Sequence, residues 1–151
     1  MRDKALAYFA AHNVMTLATR SLWAAAVFYA NEGFDLYFVS SLTSRHARDL
    51  AAEPRAAAAI HEDYRDWRSI QGIQLSGHVE RLEGADREAA LACYRDKFPF
   101  LKTTAGTLAP VLEALGKAAC FRLTPSELYF IDNSTGFGKR ARVPLETHLS
   151  R

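Results

Sequence analysis

The segment IQGIQLSGHVERL, Ile70 to Leu82, alternates apolar and polar side chains. Its apolar positions include Ile73, Leu75 and Val79, and the polar positions between and beyond them are Gln74, Ser76, His78 and Glu80. A period of two is typical of a β-strand that buries one face and exposes the other. The segment therefore predicts a long strand with one solvent-facing or functional side.

Other strand-like runs surround this segment at short intervals. They are VMTLATR, LWAAAVFYA, DLYFVS and RAAAAIHED upstream, and CFRL, ELYFID and KRARVPL downstream, with polar turns at NEG and STGFG. Helical patterns are fewer: Ala5 to Ala11, a short helix that ends before Pro54, Asp86 to Phe98, and TLAPVLEALG. Many short strands with close connections predict a mainly β, α+β fold, namely a small antiparallel barrel with a few peripheral helices.

Composition narrows the class of protein. The chain of 151 residues is 49% hydrophobic and 24% charged, which is typical of one globular domain over residues 1–151. Its net charge of +2 gives no reason to expect a nucleic-acid partner. The longest apolar run is far shorter than the ~20 residues of a membrane helix. We therefore expect a soluble, cytoplasmic protein that has no membrane partner.

Cysteines and histidines give no sign of a metal or disulfide framework. Cys93 and Cys120 lie far apart, in a helical and a strand-like segment, and are expected to be small buried hydrophobes. The five histidines are scattered, and no pair has a ligand spacing on one element. The sequence thus predicts no structural metal.

The segment SSLTSRHARDL, Ser40 to Leu50, places four hydroxyl side chains and three potential cations where a strand ends and a helix begins. Hydroxyls, a guanidinium and the free N–H groups of a helix start all favour an anion. One hydroxyl suffices to cap a helix, so the surplus favours a phosphate or carboxylate ligand. The alternative is a capped surface helix with solvated arginines.

These motifs, in this order, resemble the FMN-binding split barrels related to pyridoxamine phosphate oxidase, and the branch called YhbP-like in particular. The counterparts are YFVS, SRH, DLAAEP and IQGIQLSG. The resemblance implies an antiparallel split β-barrel that forms a homodimer and binds FMN between subunits. It also implies that Ser40 approaches the flavin and that Ser41, Ser44, Arg45 and His46 hold its phosphate, with His46 standing where the family has Lys.

Two basic residues of the family pattern are replaced here, near Ala24 and Tyr29. A phosphate would then depend on Arg45, His46 and the hydroxyls. Gln74 on the polar face is the preferred partner of the flavin ring, and Gln71 remains an alternative. Lys139 or Arg140 of the GFGKR turn would face the electron-rich end of a reduced flavin, or would belong to an exposed basic hairpin.

Trp67 has two interpretations, a cover for a ring or a packed residue at a surface edge or subunit contact. No nucleophile–base set is recognisable, which suits a protein whose cofactor carries the redox chemistry. The expected function is an FMN-dependent oxidoreductase acting on an unknown small substrate. The alternatives are a non-catalytic flavin- or haem-binding barrel, or an F420-dependent reductase.

Overall fold

The computed structural model describes residues 1–102 and 109–145. In chain order the elements are α1 (Arg2–Ala11), β1 (Val14–Thr19), β2 (Trp23–Phe28), β3 (Ala30–Glu32), β4 (Asp35–Ser40), α2 (Arg45–Ala52), β5 (Arg55–His61), β6 (Gln71–Leu82), α3 (Gly84–Lys97), α4 (Ala109–Lys117), β7 (Ala119–Asp132) and β8 (Arg140–Arg142). Short 3₁₀ turns lie at Trp67–Ser69, Pro99–Lys102 and Asn133–Thr135. None of the helices within these described ranges is long and apolar enough to cross a membrane.

The strands form one sheet in the order β2-β1-β5-β6-β7-β4-β3, and β8 pairs with β7. Every strand pair in the described part of the chain is antiparallel. The strands at the two ends of this order, β2 and β3, are consecutive in the chain and separated only by Tyr29. The sheet therefore curls so that its two ends meet, which confirms the predicted antiparallel split barrel with peripheral helices.

The predicted strands VMTLATR, DLYFVS, RAAAAIHED and IQGIQLSGHVERL are confirmed to within a few residues as β1, β4, β5 and β6. The predicted helices Ala5 to Ala11 and Asp86 to Phe98 are confirmed as α1 and α3. Some predicted boundaries of strands and turns were wrong. LWAAAVFYA is not one strand but bends at Tyr29, and the turn lies at Gly33 because Asn31 and Glu32 pair with β4. Thr107 and Leu108 of the predicted TLAPVLEALG helix lie outside the described residues.

CFRL and ELYFID are one continuous strand, β7, rather than two. The register between β6 and β7 shifts at Gly77, which faces Pro125, while its neighbour Ser76 faces Glu127. Ser126 is the extra residue of this bulge, and its hydroxyl donates to the carbonyl of Ser76 at 3.1 Å. A bulge accommodates the proline, which has no N–H to give to the ladder, without ending the strand.

The barrel interior is filled by the inward face of each strand and by one face of α1. Its largest completely buried side chains include Tyr29, Phe9, Phe38, Met15, Leu17, Leu36, Ile60, Ile73, Leu123 and Leu128. A second, smaller cluster joins α3 to the outside of β4 and β7 through Tyr37, Leu82, Ala90, Leu91 and Cys120. Cys120 is buried and Cys93 half-buried, and both are free thiols.

Gly77 is the position where the fold tolerates no side chain. A Cβ added there would lie 2.2 Å from the carbonyl oxygen of Thr124, which belongs to the backbone of the neighbouring strand. We expect Gly77→Ala to lower the free energy of unfolding by about 1–3 kcal/mol, because the two strands must separate at the bulge. Urea unfolding monitored by circular dichroism measures the change.

Gly116→Ala is the matched control, since a Cβ at Gly116 in α4 meets nothing within 4 Å. It should leave the free energy of unfolding unchanged or raise it by up to about 1 kcal/mol, because alanine has the higher helix propensity. Equal effects of the two substitutions would show that the close approach of β6 and β7 is not required.

Candidate functional site

Helix α2 begins at Arg45 because Ser44 caps it. The Ser44 hydroxyl accepts a hydrogen bond from the amide of Ala47 at 3.3 Å and donates to the carbonyl of Ser41 at 2.7 Å. Ser41 in turn shares a 2.8 Å hydrogen bond with Thr43, whose amide also donates to the Ser41 hydroxyl. Several of the clustered hydroxyls therefore shape the loop between β4 and α2.

His46 is held by hydroxyls and is not an open cation. Its Nε2 is hydrogen-bonded to the Ser40 hydroxyl and lies 3.3 Å from the Ser44 hydroxyl. Burial lowers the pKa of His46, although Asp49 opposes this shift. The ring is consequently neutral at pH 7, and its Nε2 shares a hydrogen bond with the Ser40 hydroxyl. His46 thus orients Ser40 at the end of β4 rather than adding charge to the cluster.

Arg45 connects α2 to the hairpin between β1 and β2. Its Nε donates to the Ser21 hydroxyl at 3.1 Å, and one terminal nitrogen donates to the Ser21 carbonyl at 3.3 Å. The guanidinium also lies over the ring of Trp23, 4.5 Å from its centroid. These contacts fix the plane of an exposed guanidinium and leave its remaining N–H groups for a ligand.

Asp49, one helical turn after Arg45, makes the second connection to this hairpin. One carboxylate oxygen accepts from the hydroxyls of Ser21 at 2.6 Å and Thr19 at 2.7 Å, and lies 3.4 Å from the Ser21 amide. The hydrogen bonds from Ser21 and Thr19 lower the pKa of Asp49, and Arg45 acts in the same direction. Asp49 is therefore ionised at pH 7 and holds α2 against β1 and β2.

The cluster fits a phosphate in part. Arg45 is exposed and oriented. The first backbone amides of α2 have no hydrogen-bond acceptor within the helix, as in any α-helix. Ser41 and Thr43 are exposed beside them. Ser44 and His46, in contrast, are engaged in capping and in the hydrogen bond with Ser40. An anion would thus be held chiefly by the guanidinium and the helix start.

The outward face of the sheet beside this hairpin carries small side chains. One row runs across five strands through Ala26, Thr16, Ala59, Gln74 and Tyr129, and the next through Ala24, Ala18, Ala57, Ser76 and Glu127. The methyl groups of the alanines leave a shallow floor that suits a planar ring. Three strand spacings, about 14 Å, separate Ala26 from Gln74.

The structure places the remaining candidates at the far end of this floor. Gln74 is exposed on the outward face, and its side-chain oxygen accepts from Arg140 at 3.3 Å. The guanidinium of Arg140 also lies 5.3 Å from the ring centroid of Tyr129. Lys139 is exposed in the preceding turn. Gln74 and Lys139 thus lie across the floor from the β1–β2 hairpin, and the Arg45 cluster packs against the inner side of that hairpin.

Gln71 and Trp67 lie elsewhere. Gln71 is half-buried, and its carbonyl accepts the Tyr8 hydroxyl at 3.0 Å. The ring of Trp67 is 43% exposed, packs edge-on against Phe137 and lies under Arg68. This matches the expectation of a packed residue at a surface edge. Tyr29, one of the two positions without the family's cations, is completely buried, whereas Ala24 lies on the floor.

Sequence reasoning missed three residues that organise the cluster: Ser21, Trp23 and Asp49. Asp49 gave a usable signal, because a carboxylate four residues after an arginine lies on the same helical face. Ser21 and Trp23 gave none, since their role depends on the β1–β2 hairpin folding over α2.

Residues 1–132 match the family model described as pyridoxamine 5'-phosphate oxidase, which covers most of the chain. The chain belongs to this family. Among relatives, it is 33% identical over 121 residues to the UPF0306 protein YhbP of Salmonella paratyphi A, an alignment that covers 79% of this chain and 74% of the relative. The family and branch named from the sequence are therefore confirmed.

The fold is shared with solved structures. A heme binding protein from Mycobacterium smegmatis is 26% identical, with a TM-score of 0.69; the match covers 91% of this chain but only 55% of that one. An FAD-binding protein from Mesorhizobium loti is 16% identical, with a TM-score of 0.62, and 86% of this chain and 91% of that chain are covered. The second likeness establishes the fold alone.

The Asp49 network generates a pH-dependent prediction. Because the folded-state pKa of Asp49 lies below its ordinary 3.8, the ionised carboxylate stabilises the fold above pH 3.8, and this contribution disappears as the pH falls through the lowered value. Asp49→Asn should therefore be less stable than the wild type at pH 7, and the difference should shrink at an acid pH below the lowered folded-state pKa, where both side chains are neutral.

Urea midpoints at the two pH values test this prediction. Asp63→Asn makes the same chemical change at an exposed loop position and should leave both midpoints unchanged. A destabilisation by Asp49→Asn of the same size at both pH values would contradict the assignment of an ionised, hydrogen-bonded Asp49.

Proposed function

We propose that this protein binds FMN and acts as a flavin-dependent oxidoreductase on a small substrate. The observation that carries the proposal is Arg45, an exposed guanidinium whose plane is fixed by Ser21 and Trp23 at the start of α2. Membership of the pyridoxamine 5'-phosphate oxidase family supports a flavin. FMN offers a dianionic phosphate and a planar ring, which match a cationic helix start beside a flat floor.

In this arrangement the phosphate contacts Arg45, Ser41 and the first amides of α2. Ser44 and His46 support it indirectly: Ser44 caps the helix, and His46 orients Ser40 toward the flavin. Because Arg45 lies on the inner side of the β1–β2 hairpin, the ribityl chain passes around the edge strand β2. The ring then lies over Ala24 and Ala26 on the outer side, with its far end toward Gln74 and Lys139. Apart from the two alanines, these are the residues that the sequence nominated, with the charge concentrated on Arg45.

Bound FMN would supply the hydride or electron transfer, and the chain supplies binding, orientation and charge. Arg45 and the helix start hold the phosphate, while Gln74, oriented by Arg140, presents its amide to the ring edge. The alanine floor excludes water from one ring face. We also infer the family's homodimer, in which a second copy covers the other face; a single 16.8 kDa species in sedimentation at micromolar concentration would contradict it.

The second candidate is a non-catalytic protein that binds flavin or haem without turnover, called here the holding protein. The likeness to the heme binding protein from Mycobacterium smegmatis, at 26% identity, favours it specifically. The absorption spectrum of the purified protein separates the two, because a flavin and a haem absorb in different bands. An F420-dependent reductase remains a third candidate, and F420 is distinguished from FMN by its own absorption.

Arg45→Ala should weaken FMN binding by about 3 kcal/mol, or roughly a hundredfold, because two charge-assisted hydrogen bonds to phosphate are lost. Riboflavin has no phosphate and should lose much less affinity. Quenching of flavin fluorescence gives both dissociation constants. Arg48→Ala, at another exposed arginine of α2, is the control and should change neither constant by more than about twofold.

Equal losses for FMN and riboflavin after Arg45→Ala would mean that the arginine only supports the hairpin. No loss for either flavin would mean that the phosphate binds elsewhere or that the protein holds no flavin.

The redox activity has a separate test. Under anaerobic conditions we expect NADH or NADPH to bleach the flavin band and a small acceptor to restore it. Dithionite serves as the control, since it reduces any accessible flavin. A flavin that dithionite reduces but neither pyridine nucleotide does would exclude a nicotinamide-dependent reductase and favour the holding protein.

A further inference from the structure

The outward face of the sheet carries a third row beyond the two rows of small residues, and this row is basic. Arg55 of β5 pairs with His78 of β6. On the other side, the register that pairs Ala57 with Ala18 brings Arg20 toward Arg55 just beyond the end of β1. All three side chains line one groove of about 730 Å³. Neighbouring strands thus present two arginines and a histidine side by side.

Glu53 orients the arginines without neutralising both. Its carboxylate accepts from Nε of Arg55 at 2.8 Å and from a terminal nitrogen at 3.3 Å. These hydrogen bonds lower the pKa of Glu53, and Arg20 contributes in the same direction. Two permanent cations therefore share one carboxylate, and the groove keeps an excess positive charge. The Arg55 side chain is 80% exposed, so its outer N–H groups face the groove and the solvent.

The floor of the groove is made of the smallest side chains of the sheet. Ala18, Ala57 and Gly77 lie beneath the basic row, and Ser76 and Ser126 lie at its side. Gly77 is held without a side chain by the close approach of Thr124. The volume lies within the range of about 300–1,000 Å³ typical of small-molecule sites. The shape and the lining therefore suit a compact molecule with one anionic end.

We propose that this groove is an anion subsite that takes the carboxylate or phosphate of a small substrate. Arg20 and Arg55 hold the anion, and His78 closes the row. Its link to turnover rests on the proposed flavin function, because the basic row lies two residues along the strands, about 7 Å, from the Ala57 row of the floor. A substrate anchored there by its anion would extend over the floor on which the flavin ring is placed.

The subsite is distinct from the Arg45 cluster. Arg45 contacts Trp23, which pairs with Thr19, and Thr19 belongs to the inward, buried face of β1. Arg20, the next residue, lines the outward groove. The hairpin therefore carries one cationic position on each side. The flavin phosphate and the substrate anion have separate partners.

Anion binding is tested on flavin-free protein that carries Arg45→Ala, which removes the other candidate phosphate site. Inorganic phosphate and succinate are the probes, and amide chemical shifts in ¹H–¹⁵N spectra locate the binding. We expect saturable shifts at Ala18, Ala57 and His78. Arg20→Gln and Arg55→Gln should each weaken both probes by about five- to tenfold, because each removes charge-assisted hydrogen bonds at an exposed site.

Arg81→Gln is the matched control, because Arg81 is also exposed and paired with a glutamate two residues away, Glu83, at 2.9 Å. It should leave both affinities within about twofold of the parent. Absence of saturable shifts at up to tens of millimolar probe, or equal weakening by Arg81→Gln, would overturn the subsite.

Flavin titrations separate this inference from the proposed function. In the otherwise wild-type chain, Arg55→Gln should leave the FMN and riboflavin affinities unchanged. If it weakens FMN much more than riboflavin, the groove holds the flavin phosphate and the inference is wrong. If the protein binds no flavin but the phosphate shifts persist and respond to Arg55→Gln, the anion subsite stands and the flavin function fails.

Discussion

The barrel depends on one bend, at Tyr29. There the chain passes from β2, at one end of the sheet, to β3, at the other end. The side chain is completely buried, and its hydroxyl donates to the carbonyl of Phe9 at 2.9 Å. The ammonium of Lys97 lies 3.9 Å from the centroid of its ring and donates to the carbonyls of Phe9 and His12. The bend, the end of α1 and the end of α3 are thus tied together at one point.

Burial shifts the pKa values of both Tyr29 and Lys97. Burial raises the pKa of Tyr29 and lowers the pKa of Lys97 to about 8. A lysine in this position is tolerated because the carbonyl groups at the end of α1 accept its hydrogen bonds and the helix dipole favours a cation there. Closure of the barrel therefore relies on a polar contact set within an apolar core, and the two helices are positioned by it.

Closure also determines where the functional surfaces lie. Because β2 is fixed next to β1, the β1–β2 hairpin stands against α2, where Asp49 and Arg45 bind Ser21 from two sides. The helix start first serves the fold, since Ser44 caps it and His46 holds Ser40. Arg45 keeps free N–H groups after these contacts. On the outer side of the same hairpin, the small-residue floor and its basic row are assembled from β1, β5 and β6.

The sequence by itself determined where most strands and helices lie and to which family the chain belongs. Alternation from Ile70 to Leu82 and the short intervals between runs required an antiparallel sheet, since local period and turn spacing decide these features. The motif order around Ser44 and Arg45 identified the family and located α2. Such properties depend on residues close in the chain, and a sequence contains them directly.

Only the tertiary structure decided which side chains are available. The hydroxyl cluster predicted an anion site with His46 as a cation, but burial makes that ring neutral, and Ser44 is used by the helix. The bend at Tyr29 and the continuity of β7 depend on pairing with distant strands, and so LWAAAVFYA and CFRL gave the wrong boundaries. Arg20, Arg55 and His78 are far apart in the chain. They become one row because the register of β1, β5 and β6 brings them together, and no local pattern records that register.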